Sequence, residues 1–362
     1  MSIFDRALRR IEDNMNKDIN CIPWGLPRFE EYLPGIIQKR YYLITASSGV
    51  SKTQFTDAMF LYNVYDFVKL NPGVKAKIFY WSLEIDKETK FLQGISRRLF
   101  LQYGIQADTT TLLSYGKYRC SKDLFEKINL VRDYFEELED ILEIHEDGIN
   151  PFGVRKRLMD YSKANGKIHL KPMPFTNEDG SVEIKQVFDY YTPNNPEEYV
   201  ISITDHIALL SLEKDFHGSK DIKGTIEKHS NNGVELRNKF GYIICDVQQQ
   251  SSEKENNESF KLNKLEPTSQ GLGESKLVGR NADVILGLFS PARHEIPLYR
   301  KYNIGRLQDN YRFLQIVKNR HGIANIGTHL YFNGAVNYFK ELLKADQMTE
   351  EIYNNIHEIM KP

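Results

Sequence analysis

Apolar and polar positions follow two different periods along the chain, which predict strands and helices in turn. Short apolar runs rich in β-branched and aromatic residues predict strands, and longer stretches with the helical repeat separate them. Several of these strands are apolar throughout, which indicates an α/β fold with a mostly parallel central sheet flanked by helices. The predicted strands are KRYYLITA, KIFYWSLE, ILEIHE, YVISIT, YIICDV, ADVILGLF and RFLQIVKN, and the predicted helices are QFTDAMFLYNVYDFVKL, the stretch that ends at Phe100, Asp123–Leu138 and Phe152–Lys163.

The first residues of the chain have apolar side chains at helical spacing, so that these side chains share one face of a predicted helix. A helix over residues 3–15 has six apolar side chains on one face, namely Ile3, Phe4, Ala7, Leu8, Ile11 and Met15. Because a helix this short is marginal in water, we expect it to pack against a surface. That surface is either its own domain or a neighbouring subunit, and the pattern leaves both open.

Two further segments depart from the alternation of strands and helices. Residues 167–198 hold two alternating runs around Asn-Glu-Asp-Gly, which predicts a protruding hairpin that binds a partner or covers a sheet edge. Residues 251–276 are polar and contain four lysines, and loops of this length are usually functional or disordered. We therefore divide the chain into an N-terminal docking helix at 1–20, a main domain at 21–345 and a helical tail at 346–362.

The charge balance argues against nucleic-acid binding through a bulk excess of positive charge. The 362 residues include 48 Lys and Arg against 49 Asp and Glu, a formal net charge of −1. A local basic channel is the arrangement that this balance still permits.

Neither the cysteines nor the apolar runs indicate a secreted or membrane protein. Cys21, Cys120 and Cys245 lie far apart in a pattern that matches neither a disulfide framework nor a zinc site. The longest apolar stretches, such as Ala282–Phe289, are shorter than the about 20 residues that cross a bilayer. The first 15 residues contain interspersed acids and no signal-peptide core. We expect a soluble, intracellular protein that does not bind a membrane.

The clearest chemical signal is a small-residue loop between a predicted strand and a predicted helix. Its sequence, ASSGVSKT, runs from Ala46 to Thr53. Such a loop wraps phosphates with backbone N–H groups, while a lysine reaches the β- and γ-oxygens and a hydroxyl binds Mg²⁺. Ala46 and Ser51 stand where the usual pattern has glycine, so a Ser-rich turn remains the alternative. The residues expected to hold the nucleotide are Ser48, Gly49, Val50, Ser51, Lys52, Thr53 and Gln54.

Two acids follow predicted strands at the end where open α/β sheets bind ligands. Glu84 comes after KIFYWSL and could deprotonate a water that attacks the γ-phosphate, or it could simply cap the next helix. Asp205 ends VISITD and could hold Mg²⁺ opposite Thr53, although strands that end in Asp are common.

An amide and a pair of cations complete the candidate set. Gln248 ends a strand and could sense the γ-phosphate or hydrogen-bond a loop. Lys318 and Arg320 lie at the end of a late strand. They form either a solvated basic turn or a charge clamp that is supplied to the nucleotide of a neighbour.

The order of these elements resembles the C-terminal RecA-fold ATPase domain of DnaB-type replicative helicases. The combination of SLE with a later KNR is more specific than a phosphate loop alone. The resemblance covers nearly the whole chain through IPWGLPRFEEYL, LITASSGVSKTQF, FYWSLEIDKE, LEIHEDGINPFGVRKRL, ISITDHIALL, IICDVQQQ, GESKLVGRNADVIL and VKNRHG.

The resemblance implies ATP and Mg²⁺ as cofactors and gives each candidate a role. Lys52 and Thr53 would bind phosphate and Mg²⁺, and Asp205 would support the metal. Glu84 would be the catalytic base. Gln248 would couple the nucleotide to the DNA loops, whereas Arg320 with Lys318 would reach the site of the adjacent protomer. ATP would then lie between subunits of a homo-oligomer, expected to be a hexameric ring, and helix 3–15 would dock on the next protomer.

The resemblance also implies single-stranded DNA as a partner, bound by loops that face a central channel. The candidate loops are 212–224 and 251–276. Both loops contain acids as well as lysines, so the alternative is that they are solvent-exposed surface loops that do not bind DNA. Repeated around a ring, their lysines would build a positive funnel from a nearly neutral chain. They are Lys214, Lys220, Lys223, Lys254, Lys261, Lys264 and Lys276.

The sequence thus predicts an ATP-driven DNA helicase motor that translocates 5′–3′ on single strands and unwinds duplex, the polarity being that of the family. A RecA-type recombinase, a KaiC-like regulatory ATPase and a weakly active ring scaffold or DNA clamp are the alternatives. We expect the family's N-terminal primase-interacting domain to be missing, so recruitment of primase is not assumed. A helicase loader or other replication proteins are further candidate partners that the resemblance implies. The degenerate motifs suggest a protein of a bacteriophage or another mobile element, and we expect it in the cytoplasm, that of a bacterial host if a phage encodes it.

Overall fold

The structure, a computed structural model, describes residues 2–177, 179–213, 221–251 and 265–362. Within these ranges the strands are β1 Tyr41–Ala46, β2 Lys75–Ser82, β3 Leu142–His145, β4 Gly166–Thr176, β5 Val182–Pro193, β6 Glu198–Asp205, β7 Ile243–Gln249, β8 Val284–Phe289, β9 Leu298–Tyr299, β10 Tyr302–Asn303, β11 Tyr311–Asn319, β12 Ile326–Asn333 and β13 Tyr338–Glu341.

Nine of the described strands form one sheet in the order β13-β12-β11-β8-β1-β7-β6-β2-β3. The six strands from β8 to β3 are parallel to one another. The other three, β11, β12 and β13, extend the sheet antiparallel beyond β8. The predicted α/β class with a mostly parallel sheet is therefore confirmed, and the antiparallel edge is a detail that the pattern did not indicate.

Helices cover the parallel strands and connect them. In chain order they are α1 Ile3–Met15, α2 Pro27–Glu30, α3 Lys52–Thr56, α4 Asn63–Leu70, α5 Lys87–Tyr103, α6 Thr109–Leu112, α7 Lys122–Leu130, α8 Arg132–Ile141, α9 Pro151–Ala164, α10 Ile222–Phe240, α11 Lys276–Asn281, α12 Ile304–Leu307, α13 Glu350–Asn354 and α14 Ile356–Ile359.

Two predicted helices differ from their observed form. The helix predicted at 123–138 is interrupted at Val131, whose backbone (φ −100°, ψ 5°) leaves the helical range. Val131 is buried, so the residue at the break packs into the core between α7 and α8. The helix after the phosphate loop contains a π-helical segment, Asp57–Tyr62, between α3 and α4. Such segments occur often at functional sites.

The apolar core lies on both faces of the parallel strands, which explains why their sequences are apolar throughout. On one face Tyr42 and Ile44 of β1 pack with the helices that follow the phosphate loop. On the other face Tyr41 and Leu43 pack with α9, α10 and α11. Successive residues of β1 therefore serve opposite faces, and the strand is clamped between two helical layers.

The segment with the hairpin pattern forms β4 and β5, which pair antiparallel in a sheet of their own. Near its base, Phe188 and Tyr191 pack edge-on against Phe240 of α10. Farther along, Val182 and Ile184 are exposed. The ribbon therefore rests on the domain at one end only.

The two termini of the chain differ in their packing. Helix α1 is capped by reciprocal Ser2 and Asp5 hydrogen bonds and has no buried residue, so its apolar stripe is exposed in this protomer. The C-terminal residues instead bury Tyr353, Ile356 and Met360 against the antiparallel strands. Among the described residues, no helix is long and apolar enough to cross a membrane.

Candidate nucleotide site

A cleft of about 520 Å³ lies at the carboxyl edge of the parallel strands. Strand register explains its composition, since Ser82 of β2 pairs with Asp205 of β6 and Ala46 of β1 pairs with Gln249 of β7. The residues that follow these strand ends therefore converge. The lining residues are Ser48, Gly49, Ser51, Lys52, Thr53, Gln54, Glu84, Ile85, Gln93, Asp205, His206, Ala208, Leu209, Gln249 and Glu274.

The small-residue loop between β1 and α3 contains two residues with left-handed backbone and leads directly into a helix. Gly49 (φ 68°) and Ser51 (φ 74°) both have left-handed backbone, and α3 begins at Lys52. The first N–H groups of a helix have no partner within it and attract anions. Lys52 Nζ donates to Ser47 O at 3.0 Å. Lysine, hydroxyl and helix start are thus assembled at one point of the cleft.

Ser51 holds a backbone conformation that usually belongs to glycine. A non-glycine residue in this region costs roughly 1 kcal/mol or more. The buried Arg312 lies behind the loop and donates from Nε to Val50 O at 3.3 Å, with its Nη2 3.5 Å from Ser51 Oγ. Burial lowers the pKa of Arg312, whose main charged partner is Asp309 at 2.9 Å. A second arginine, Arg293, donates to Ser48 O. Two cations therefore hold the carbonyl side of the loop.

Replacement of Ser51 by glycine tests whether the serine weakens the loop. We expect Ser51→Gly to raise the free energy of unfolding by about 0.5 kcal/mol, because relief of the left-handed strain exceeds the added chain entropy. The Val50 contact of Arg312 involves the backbone and should persist, so we expect nucleotide affinity within about twofold of wild type. Thermal denaturation and nucleotide titration check this. A large gain in affinity would mean that the serine does obstruct the phosphates.

Thr53 and Asp205 form the pair that the sequence predicts for a metal. Thr53 Oγ1 donates to Asp205 Oδ1 at 3.1 Å. A hydroxyl and one carboxylate suit Mg²⁺, which takes few protein oxygens and completes its shell with phosphates and water. No group of three or more His, Cys, Asp or Glu suited to a metal occurs among the described residues. The residues present therefore fit Mg²⁺ delivered with a nucleotide.

Behind Asp205 lies a cluster of buried charges that no sequence pattern predicts. Lys90 of α5 contacts both carboxylate oxygens of Asp57 at 3.0 Å, and its Nζ is 3.5 Å from Asp205 Oδ2. Tyr80 OH donates to Asp57 Oδ1 at 2.7 Å and lies 3.2 Å from Asp205 Oδ2. Burial, opposed by Lys90, raises the pKa of Asp57. Two carboxylates thus share one internal ammonium group.

Two exposed carboxylates border the cleft, Glu84 after β2 and Glu274 before α11. Glu84 lies where the sequence predicts a catalytic base, and Glu274 is a second acid that the sequence did not single out. Also in the cleft is His206, whose Nδ1 accepts from Ala208 N at 3.1 Å. Burial, followed by the charge of Lys52, lowers the pKa of His206.

Two glutamines end β7 and a third, Gln250, follows it directly, and their side chains have different partners. Gln248 is buried and donates to Ser275 O at 3.2 Å, on the α11 side of the sheet. Gln249 lines the cleft. Gln250 donates to Thr45 Oγ1 at 2.9 Å and to Thr268 O at 3.2 Å. Gln248 therefore contacts Ser275, near the end of the loop 251–276, and Gln249 is the amide that faces the cleft.

Lys318 and Arg320 lie at the opposite edge of the sheet from the cleft. Because β11 is antiparallel to β8, its last residue, Asn319, pairs with Val284 at the start of β8. Lys318 donates to the carbonyl oxygens of Gly279, Arg280 and Ala282 at 2.7–3.0 Å, which caps α11. Arg320 remains half exposed, with Asp283 at 3.8 Å. Neither cation lies near the nucleotide cleft of its own chain.

The candidate DNA lysines divide into two groups. Lys214, Lys220, Lys254, Lys261 and Lys264 lie outside the described residues. Lys223 and Lys276 are exposed and stand in the first turns of α10 and α11. These two helices are neighbours, since Ser275 Oγ lies 3.2 Å from Glu227 Oε1. The described part of the surface therefore brings two of the seven lysines to adjacent helices.

Comparison with solved structures bears directly on the fold. A DnaB-like replicative helicase, in a structure that reports its interactions with primase, matches 94% of this chain with a TM-score of 0.65 and 16% identity. The chain has the RecA-like fold of DnaB-type ATPase domains. It covers 69% of that helicase chain. A second solved structure, of an ATPase domain alone, matches with a TM-score of 0.65 and 17% identity, over 94% of this chain and 99% of that chain.

Comparison of sequences gives a different result from comparison of structures. No family model matches the sequence, and no curated protein matches it. At 16–17% identity the similarity is carried by the arrangement of strands and helices. The predicted resemblance is therefore confirmed for the fold, whereas activity has to be argued from the residues of the cleft.

Proposed function

We propose that the protein is a magnesium-dependent ATPase that drives a ring-shaped DNA helicase. The observation that carries this proposal is the pairing of Thr53 with Asp205 at 3.1 Å beside Lys52 at the start of α3. Phosphate loop, metal oxygens and the candidate base Glu84 border one cleft. That combination is typical of nucleoside triphosphate hydrolysis.

In this site each step of hydrolysis depends on different residues of the chain. Loop N–H groups and Lys52 bind the phosphates, and Mg²⁺ held by Thr53 and Asp205 would offset their charge. Glu84 orients and deprotonates the attacking water. Gln249 offers an amide to the γ-phosphate side of the cleft. Gln248 at the end of β7 and Gln250 directly after it are hydrogen-bonded to Ser275 and Thr268, which links the cleft to the loop 251–276.

The position of Arg320 supports assembly into a ring. An arginine at the amino edge of the sheet cannot reach the carboxyl-edge cleft of its own chain, but it can face the cleft of a neighbour when protomers associate head to tail. Head-to-tail association forms closed rings when its rotation closes. The exposed apolar stripe of α1 supplies a surface for the same contact. We expect a homo-oligomer, with a hexamer as the leading form.

DNA binding by the ring rests on Lys223 and Lys276, with the five further lysines of the same two loops. Both described lysines stand at helix starts, where a cation is unfavourable with respect to the helix dipole but a bound phosphate is favoured. Two exposed lysines per subunit on adjacent helices, repeated around a ring, suit a single strand that passes through the centre. Translocation on single-stranded DNA is the function that this arrangement supports best.

The test combines phosphate release with a mass measurement. We expect ATP hydrolysis that requires Mg²⁺, rises at least severalfold with single-stranded DNA and coincides with a closed oligomer by mass photometry and negative-stain imaging. Filaments on DNA would instead indicate a recombinase. ATP binding without DNA-stimulated phosphate release would indicate a scaffold or clamp, and the helicase proposal would then be wrong.

A further inference from the structure

An internal lysine, Lys90, has two acids as partners, and one of these is the proposed metal-binding carboxylate. The side chain of Lys90 is 1% exposed, and those of Asp57 and Asp205 are at most 2% exposed. A buried charge without a partner is strongly destabilising. The three groups therefore constrain one another, and any change in one alters the environment of the others.

The two oxygens of Asp205 have different neighbours. Oδ1 accepts from Thr53 Oγ1 at 3.1 Å on the cleft side. Oδ2 faces inward, 3.2 Å from Tyr80 OH and 3.5 Å from Lys90 Nζ. The inward contacts fix the plane of the carboxylate, so that Oδ1 is the oxygen presented to the cleft.

The path of the chain ties Lys90 to the rest of the site. Asp86 caps α5 by accepting from Thr89 N at 2.8 Å, so α5 starts three residues after Glu84. The first turn of α5 places Lys90 against Tyr80 of β2. There Lys90 Nζ lies 4.2 Å from the centre of the Tyr80 ring. Asp57, the other partner, begins the π-helical segment that follows the phosphate-loop helix. One ammonium group thus contacts Asp205 itself, the segment that follows the helix of Thr53, and the strand that precedes Glu84.

We propose that Lys90 is a positioning residue for the magnesium-binding carboxylate Asp205. It holds Oδ2 and offsets the repulsion between Asp205 and Asp57, so that Oδ1 stays directed at the metal position. Removal of the hydrogen-bonding partner of a metal-ligating carboxylate typically lowers metal affinity by 10- to 100-fold. The inference rests on the proposed nucleotide site and adds a residue to it.

The test measures binding of a fluorescent, non-hydrolysable ATP analogue in Mg²⁺ and in EDTA. In Lys90→Met we expect the gain in affinity that Mg²⁺ confers to fall about tenfold, while the affinity in EDTA stays within about threefold of wild type. Asp57→Asn removes a charge from the same cluster but keeps Lys90 as the partner of Asp205. The gain in affinity that Mg²⁺ confers should therefore be kept in this variant. Lys69→Met, which breaks the exposed pair with Glu137, is the control and should bind as wild type does.

Failure of this inference is distinguishable from failure of the proposed function. If wild type binds the analogue equally with and without Mg²⁺, the metal site itself is wrong. If wild type needs Mg²⁺ but Lys90→Met keeps or increases the Mg²⁺ gain, Lys90 does not position Asp205. Should Lys90→Met not fold, the Asp57→Asn/Lys90→Met variant removes the opposed charges together. It should show the same loss of the Mg²⁺ gain, and a normal gain would overturn the proposal.

Discussion

Glu84→Gln should abolish ATP hydrolysis and leave ATP binding intact. Glutamine keeps the size and one oxygen of the side chain but cannot accept the proton of the attacking water. A positioned general base contributes about 10²- to 10⁴-fold to the rate, so we expect steady-state phosphate release to fall by about three orders of magnitude. Because Glu84 is exposed at the cleft, the substitution should not change the thermal midpoint. Phosphate release and equilibrium binding of labelled ATP measure the two quantities separately.

Glu274→Gln is the matched comparison for this prediction. Glu274 is the other exposed glutamate that lines the cleft, and it carries the same charge. We expect its variant to retain at least about a third of the wild-type rate, since removal of a nearby charge changes the local field but not the proton acceptor. If hydrolysis survives in Glu84→Gln and fails in Glu274→Gln, the base is Glu274.

How much of the site the sequence could predict depends on how local each signal is. The phosphate loop, Thr53 and Asp205 follow predicted strands directly, and the common carboxyl edge of a parallel sheet brings them together. The 3.1 Å contact between Thr53 Oγ1 and Asp205 Oδ1 therefore follows from strand order. Strand direction was harder to predict, because β11 has the same apolar pattern whether it runs parallel or antiparallel to β8. The position of Arg320 depends on that direction.

The residues that sequence reasoning missed are those whose partners are distant in the chain. Lys90 and Asp57 lie 33 positions apart, each inside a stretch that is helical in pattern, where a charge normally faces water. Arg312 contacts Val50 across 262 positions. No local period marks such residues as buried, and only the three-dimensional packing of α3, α5 and β11 reveals them.

The glutamines at the end of β7 illustrate a different limit. Side chains alternate between the faces of a strand, so neighbouring residues point in opposite directions. The sequence predicts Gln248 as the sensor from its place in the motif, whereas Gln249 is the residue that lines the cleft. The sensor role of Gln248 stays a prediction, and its hydrogen bond to Ser275 O is the contact through which it would act.

Arg320→Ala should stop hydrolysis without changing the fold or the nucleotide site of the protomer that carries it. An arginine that reaches the transferred phosphate from a neighbour typically contributes about 10³- to 10⁵-fold. Arg320 is half exposed, its ion-pair distance to Asp283 is 3.8 Å, and its Nη2 donates an exposed hydrogen bond to Arg280 O, so its removal should cost about 1 kcal/mol or less. We expect normal analogue binding, normal assembly and a rate below about one-hundredth of wild type. Arg132→Ala, which removes an exposed arginine from α8, should retain wild-type activity.

Mixing of two inactive variants tests whether Arg320 acts between subunits. Lys52→Ala protomers lack the phosphate lysine but keep Arg320, and Arg320→Ala protomers keep an intact cleft. Where the cleft of an Arg320→Ala protomer faces Arg320 of a Lys52→Ala protomer, the site between them contains both Lys52 and Arg320. If subunits assemble at random from an equal mixture and sites act independently, about a quarter of the interfaces are complete and hydrolysis returns to about that share of wild type. Mixtures that stay inactive at every ratio, despite mixed oligomers by mass, would exclude a role for Arg320 in the neighbouring site. The amino-edge position of Arg320 leaves its own cleft out of reach, so activity in the mixture can arise only across an interface.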